Sequence, residues 1–247
     1  MKAAPDSAPV AGVRALKSAV AARSRDATRT KAQILKAARD EFSERGFNGA
    51  RVDSIATRAK ANKRLLYHYF GNKEALYMAV LRDAYEEIRH GERELSLTEH
   101  DPVEAIDRIV RFTFRHYLAN PWFPRLLAVE NLQNARFLKQ VKDIKALNSP
   151  LVEVLRDIVA KGNAAGTFRA DVDPVQLYVS IAGLGYFYVS NMKTLSVIFG
   201  RDLNSFAMIQ EREAQAVQMV LDYLRTRAGG SRPGESAGRV LTATEGS

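Results

Sequence analysis

Ala50-Arg51-Val52-Asp53-Ser54-Ile55-Ala56-Thr57-Arg58-Ala59-Lys60-Ala61-Asn62-Lys63-Arg64-Leu65-Leu66-Tyr67-His68-Tyr69-Phe70 is the stretch on which the reading of this chain turns. Val52, Ile55, Ala56 and Ala59 recur at the three-and-four spacing of one helical face. Leu65, Leu66, Tyr69 and Phe70 mark a second short helix. Ala59-Lys60-Ala61 leaves room only for a turn between them. Asn62 follows as an N-cap, a residue whose side-chain oxygen accepts a free backbone N–H of the next helix. Two short helices crossing through a small apolar set and joined by a tight turn have the spacing of a helix-turn-helix. Spacing alone fits any small helical pair.

Charge decides between the two. Residues 1–73 hold sixteen Lys and Arg against six Asp and Glu, a net +10. The remaining 174 residues hold twenty-one against twenty-two, a net −1. A basic third joined to a neutral body fits a polyanion-binding head on a body with another task. In such a head Asn62, Lys63, Arg64, Tyr67 and His68 are left for the groove. Lys63 and Arg64 lie at the N-terminal end of the second helix, the end that points into a major groove. Arg64 has the fork for two bonds to a guanine edge. Tyr67 and His68 suit phosphate contacts or packing on a thymine methyl, whereas Phe70 and Tyr69 are expected in the core. Lys73 opens the next helix, where its ammonium and the free N–H groups both suit phosphate.

Several runs resemble the TetR/AcrR family of bacterial transcriptional regulators. They are Thr30 to Phe42, Gly46-Phe47, Val52-Asp53-Ser54-Ile55-Ala56, Leu66-Tyr67-His68-Tyr69-Phe70 and Lys73-Glu74-Ala75-Leu76. The resemblance covers roughly residues 28–88 and rests most on the Leu-Tyr-His-Tyr-Phe run. It implies a dimeric all-α repressor whose C-terminal domain binds a small effector. Two positions depart from the family pattern. Lys60 stands where the family usually has Gly in the turn, and Ala50-Arg51 where it has Thr or Ser. Ala50 removes a cap, and Arg51 offers a phosphate contact in its place.

Outside this head the periodicity is helical almost throughout, with no strand pattern, so the fold class is all-α. The expected divisions are a basic arm over 1–27, a DNA-binding domain over 28–88, an effector-binding and dimerisation domain over 89–227 and a disordered tail over 228–247. The arm, with Arg23, Arg25 and Arg29, is read as mobile. A helix ends at Gly46, a long one runs from Lys73 past Ile88, and Gly91 to Asp101 reads as a linker. Asp101-Pro102 and Asp173-Pro174 each start a helix by a cap followed by proline. Helices are expected over Trp122 to Asn134, Phe137 to Leu147, Pro150 to Gly162, Pro174 to about Asn191, and Asn204 to Arg225.

In the body Leu177, Ile181, Leu184 and Tyr188 form one apolar stripe, and Val217 and Leu221 belong to another. Two such helices per subunit suit a four-helix dimer interface. Arg115, Trp122, Phe123, Arg125 and Asn131 mix cations, rings and an amide, and are the candidate effector contacts. A small aromatic or anionic metabolite is the expected effector. The expected partners are a pseudo-palindromic duplex operator and a second copy of the chain.

Other classes fit less well. There is no cysteine, so disulfides and zinc–cysteine sites are excluded. The four histidines lack metal-ligand spacing, and neither a glycine-rich phosphate loop nor a nucleophile elbow occurs. No catalysis and no cofactor are expected. No apolar run approaches the roughly 20 residues of a membrane span, and a cytoplasmic location is expected. An architectural nucleic-acid binder remains the alternative.

Overall fold

The computed structural model describes residues 9–225, with side chains from residue 26 onward. Among the described residues it is helical with no strand; Phe168 and Arg225 make an isolated bridge. The helices are α1 (Pro9–Gly49), α2 (Val52–Arg58), α3 (Lys63–Phe70), α4 (Lys73–Arg93), α5 (Pro102–Ala119), α6 (Trp122–Leu132), α7 (Ile144–Ala164), α8 (Pro174–Phe199) and α9 (Phe206–Leu224). Residues 1–8 of the expected arm and the tail after 225 lie outside the described residues.

The arm expectation needs correcting from residue 9 on. The chain there is already the start of α1. Its Ala, Arg and Lys residues carry high helix propensity, and no breaker separates them from the amphipathic part. The regular helix breaks at Gly46, whose φ of 67° takes the left-handed region.

The turn of the helix-turn-helix closes as a Schellman motif. Ala61 N–H donates to the Ala56 carbonyl at 3.0 Å and Lys60 N–H to the Thr57 carbonyl at 3.1 Å. Lys60 therefore occupies the left-handed position, φ 49°, that suits glycine. Lys60→Gly is expected to raise unfolding free energy by about 0.5–1 kcal/mol, the strain relieved less the entropy glycine adds to the unfolded chain. Urea unfolding checks this; a loss of stability would contradict the strain. Asn62 caps α3 by accepting Arg64 N–H at 2.8 Å, and Asn72 caps α4 by accepting Ala75 N–H at 2.7 Å.

The expected linker is not one. α4 runs on through Gly91 to Arg93, and Leu97, in a single 3₁₀ turn, is buried. Gly91 is where Phe112 crosses α4: a Cβ there would lie 2.5 Å from the ring. One continuous helix thus passes from the head into the body.

The segment after α6 also differs from expectation. Instead of a helix over Phe137 to Leu147, the chain turns through Asn134 and Ala135, each at φ 55°, and makes one 3₁₀ turn. Glu130 holds that turn: its buried Oε1 accepts Phe137 N–H and Leu138 N–H, both at 2.8 Å. α7 starts at Ile144 and carries Pro150 inside, where proline lacks the helical N–H. α8 continues two turns past Asn191 and stops at Gly200, φ 61°.

Two apolar cores result. Ile34, Phe42, Ile55, Leu66, Tyr77 and Leu81 belong to the first, which seats the head. Ile106, Leu155, Phe168, Leu177, Ile181 and Leu221 belong to the second. This corrects the expected dimer face. Leu177, Ile181, Tyr188, Val217 and Leu221 are buried within the chain, and Leu184 packs against the second core. An apolar stripe shows that a face is buried, not by whom. The surface that α8 and α9 leave open carries exposed Val175, Val179, Phe187, Met219 and Tyr223, and half-buried Leu184 borders it.

Candidate functional site

α3 turns Leu66 into the core and leaves one polar face outside. Asn62, Lys63, Arg64, Tyr67 and His68 are all exposed, while Tyr69 and Phe70 pack partly against the core. Positions 63, 64, 67 and 68 lie on adjoining helical turns, so the four side chains share this face. Lys63 is held by Asp53 of α2, with Nζ 2.8 Å from the carboxylate, which fixes its reach. Arg51 precedes α2 with an exposed side chain and makes no side-chain cap. Its N–H instead donates to Glu41 Oε1 at 3.2 Å. Lys73 is only half open: its ammonium sits 4.9 Å from the centre of the Phe47 ring, and burial pushes its pKa down.

The expected effector residues do not come together. Arg115 is held by Glu213 of α9, at 2.5 Å through Nε and 3.0 Å through the other guanidinium nitrogen. Phe123 is buried, whereas Arg125 and Asn131 are exposed on other faces of α6. Trp122 donates from its indole N–H to Asn120 at 3.2 Å, and Arg39 of α1 stacks on its ring at 4.0 Å. Arg115 lines a surface groove with Arg111, Phe112 and His116, but Trp122, Phe123, Arg125 and Asn131 do not line that groove.

A different polar group lies inside the body. Arg89 and Glu92 of α4 and Thr113 and His116 of α5 are all buried. Arg89 donates to Glu92 Oε1 at 2.8 Å and to the Tyr178 hydroxyl at 2.7 Å. The His116 ring lies 5.4 Å from Phe123 and 5.8 Å from Phe112. Burial pushes the Glu92 carboxyl up to about 7, against the pull of Arg89, and the His116 imidazole down to about 4. Arg89 Nε, Glu92 Oε2, Thr113 Oγ1 and His116 Nε2 have no hydrogen-bond partner among the described residues. Buried polar atoms are costly to leave unmatched, and Arg89 and Glu92 are the two of these that border a cavity. That cavity, of about 170 Å³, is lined also by Leu97, Leu147, Leu151 and Val154.

Sequence reasoning missed this group because it ended α4 too early. The signal was present: Arg89 and Glu92 stand three apart on the face that follows Ile88.

These features place the molecule among helix-turn-helix regulators. The family model described as bacterial regulatory proteins, tetR family, matches residues 34–80, and the Tetracyclin repressor-like C-terminal domain matches residues 102–220. The chain is 41% identical over 181 residues to the HTH-type transcriptional repressor NicS of Pseudomonas putida, covering 73% of this chain and 85% of that one. It is 28% identical over 207 residues to the regulator RutR of Escherichia coli K12, covering 83% and 95%. A transcriptional regulator structure from Streptomyces coelicolor, SCO4942, superimposes with a TM-score of 0.59 at 26% identity, covering 79% and 98%. The chain belongs to the TetR family of bacterial regulatory proteins, and it is a DNA-binding transcriptional regulator. The relatives are regulators rather than enzymes, and the architectural alternative is not favoured. Among the described residues no helix is long and apolar enough to cross a membrane.

Proposed function

We propose that this regulator is a cytoplasmic repressor, released from its operator when a small polar ring compound enters the site around Arg89 and Glu92. The observation that carries this is the buried pair Arg89 and Glu92, each with one polar atom unmatched, lining a cavity from α4, the helix that begins next to α3. An apolar cavity of roughly 150 Å³ admits one benzene ring, so about 170 Å³ suits a single ring. The polar atoms then select a ring that carries donors and acceptors.

α4 joins the two functions. Its 21 residues span about 31 Å, from Lys73 at the head to Arg93 in the body. A second connection runs through α6: Phe123 packs on His116, while neighbouring Trp122 carries Arg39 of the head. The ligand has to bind the DNA-competent and released forms with different affinity for release to follow. Two half-sites require two heads, and the exposed apolar residues of α8 and α9 are the face offered for pairing. Arg51, Asn62, Lys63, Arg64, Tyr67, His68 and Lys73 are the proposed DNA contacts. Repression accords with the NicS relative, a transcriptional repressor.

Thermal-shift screening with polar single-ring and neutral aliphatic compounds tests the reading. At a hundredfold excess over Kd a site ligand adds about 2.7 kcal/mol, a rise of roughly 5–10 °C for a chain of this size. The same compounds are expected to weaken operator binding. Stabilisation by neutral aliphatic compounds alone, or stabilisers that leave operator binding unchanged, would count against it.

A further inference from the structure

Glu41 sits on α1 beneath α2, and its side chain is only 1% exposed. A carboxylate so far from water has to be matched by donors or cations. Oε1 accepts the Arg51 N–H at 3.2 Å and lies 3.4 Å from Arg45 Nε. Oε2 faces the Arg58 guanidinium at 3.6 Å, and Arg58 also holds Glu44 at 2.9 Å. Arg51 precedes the first residue of α2, and Arg58 is its last. Lys73, the first residue of α4, feels the same charge: Glu41 offsets part of the fall in its pKa. One buried anion thus serves both ends of α2 and the start of α4, and α3 lies between those elements. α2 has no side-chain cap of its own, and Glu41 ties its start to α1 by accepting the N–H of the N-cap residue, Arg51.

We propose that Glu41 is a positioning residue of the DNA-binding head. Through the Arg51 amide and Arg58 it fixes the helix-turn-helix on α1. Its charge also pairs with the exposed guanidiniums of Arg45 and Arg58 and holds them back from indiscriminate phosphate contact. This rests on the operator reading above.

Glu41→Gln keeps the size and a carbonyl acceptor but removes the charge. Fluorescence anisotropy is then measured on a selected operator duplex and a random duplex over a range of salt. The expected result is random-duplex affinity about threefold higher and a salt slope steeper by about one, as one further cation reaches phosphate. The operator-over-random ratio is expected to fall about tenfold. A head that is merely destabilised would lose affinity for both duplexes together, and that result, or an unchanged ratio, overturns the proposal. Hydrogen exchange on the unmodified protein gives a second reading that does not depend on the variant folding. The Arg51 amide is expected to exchange as slowly as helix-interior amides; exchange at the rate of an exposed loop overturns the proposal too. An unmodified protein with no operator preference counts against the operator reading instead, and the Arg51 amide still decides the role of Glu41.

Discussion

Arg89→Met is expected to lose about 3 kcal/mol of unfolding free energy at pH 8 and markedly less at pH 5. Removing one partner of a buried ion pair costs roughly 3–5 kcal/mol because the other charge is left uncompensated. Here that charge is Glu92, held by Arg89 at 2.8 Å. The loss falls at the lower end because the methionine stem refills part of the space. The sign of the pH dependence follows from linkage. Burial has already raised the Glu92 carboxyl to about 7, and removing a nearby cation raises it further. A raised folded-state pKa contributes stability that is fully present below the ordinary carboxylate value and is lost as pH rises through the folded one. The variant is therefore hurt most above pH 7 and shielded at pH 5, where Glu92 takes a proton. His116 acts in the opposite direction. Its folded pKa is depressed to about 4, so its contribution is present above about 6.5 and lost as pH falls through about 4. Arg89 is one cause of that depression, so its removal eases the His116 loss in the variant and adds to the same sign of pH dependence. Urea unfolding at the two pH values checks the prediction; equal losses at both would show that Glu92 is not the group responsible.

Arg64→Ala is expected to weaken operator binding by about 1–3 kcal/mol while changing affinity for random duplex far less. Arg64 stands on the exposed face of α3, one residue inside the helix start and clear of the core. A guanidinium so placed reads base edges if α3 enters the groove. Lys73→Ala is expected to act differently. It should weaken all sequences alike and lower the salt slope by about one, since an ammonium at the start of α4 meets phosphate rather than bases. Its stacking on Phe47 means that some stability is lost as well. Salt titrations on operator and random duplexes separate the roles, and equal effects from the two substitutions would contradict them.

Local chemistry was the most legible part of the sequence. Asn62, Asp101 and Asp173 accept the backbone N–H groups that their positions call for, because a cap involves residues two or three apart. The polar face of α3 was readable for the same reason, since Leu66 fixes which way the helix turns. Partners remote in sequence were not readable. Arg115 looked free for a ligand because Glu213, which holds it, lies 98 positions away. Leu177 and Ile181 looked like a dimer stripe because periodicity marks burial without naming what lies opposite. Gly91 suggested a break, yet it stays in α4 because Phe112 needs its bare backbone. The site around Arg89 was hidden by that break: with α4 ended early, Glu92 fell in a supposed linker.

α3 is proposed to read a two-fold operator. Selection of bound duplexes from a randomised pool, followed by sequencing, tests it most directly. The expected result is enrichment of one two-fold-symmetric sequence, with half-sites spaced by one helical turn, roughly 34–36 Å, or a multiple of it. Arg64→Ala is expected to lose that enrichment. A pool that stays random under the unmodified protein, or an enriched sequence that Arg64→Ala selects equally well, would contradict it.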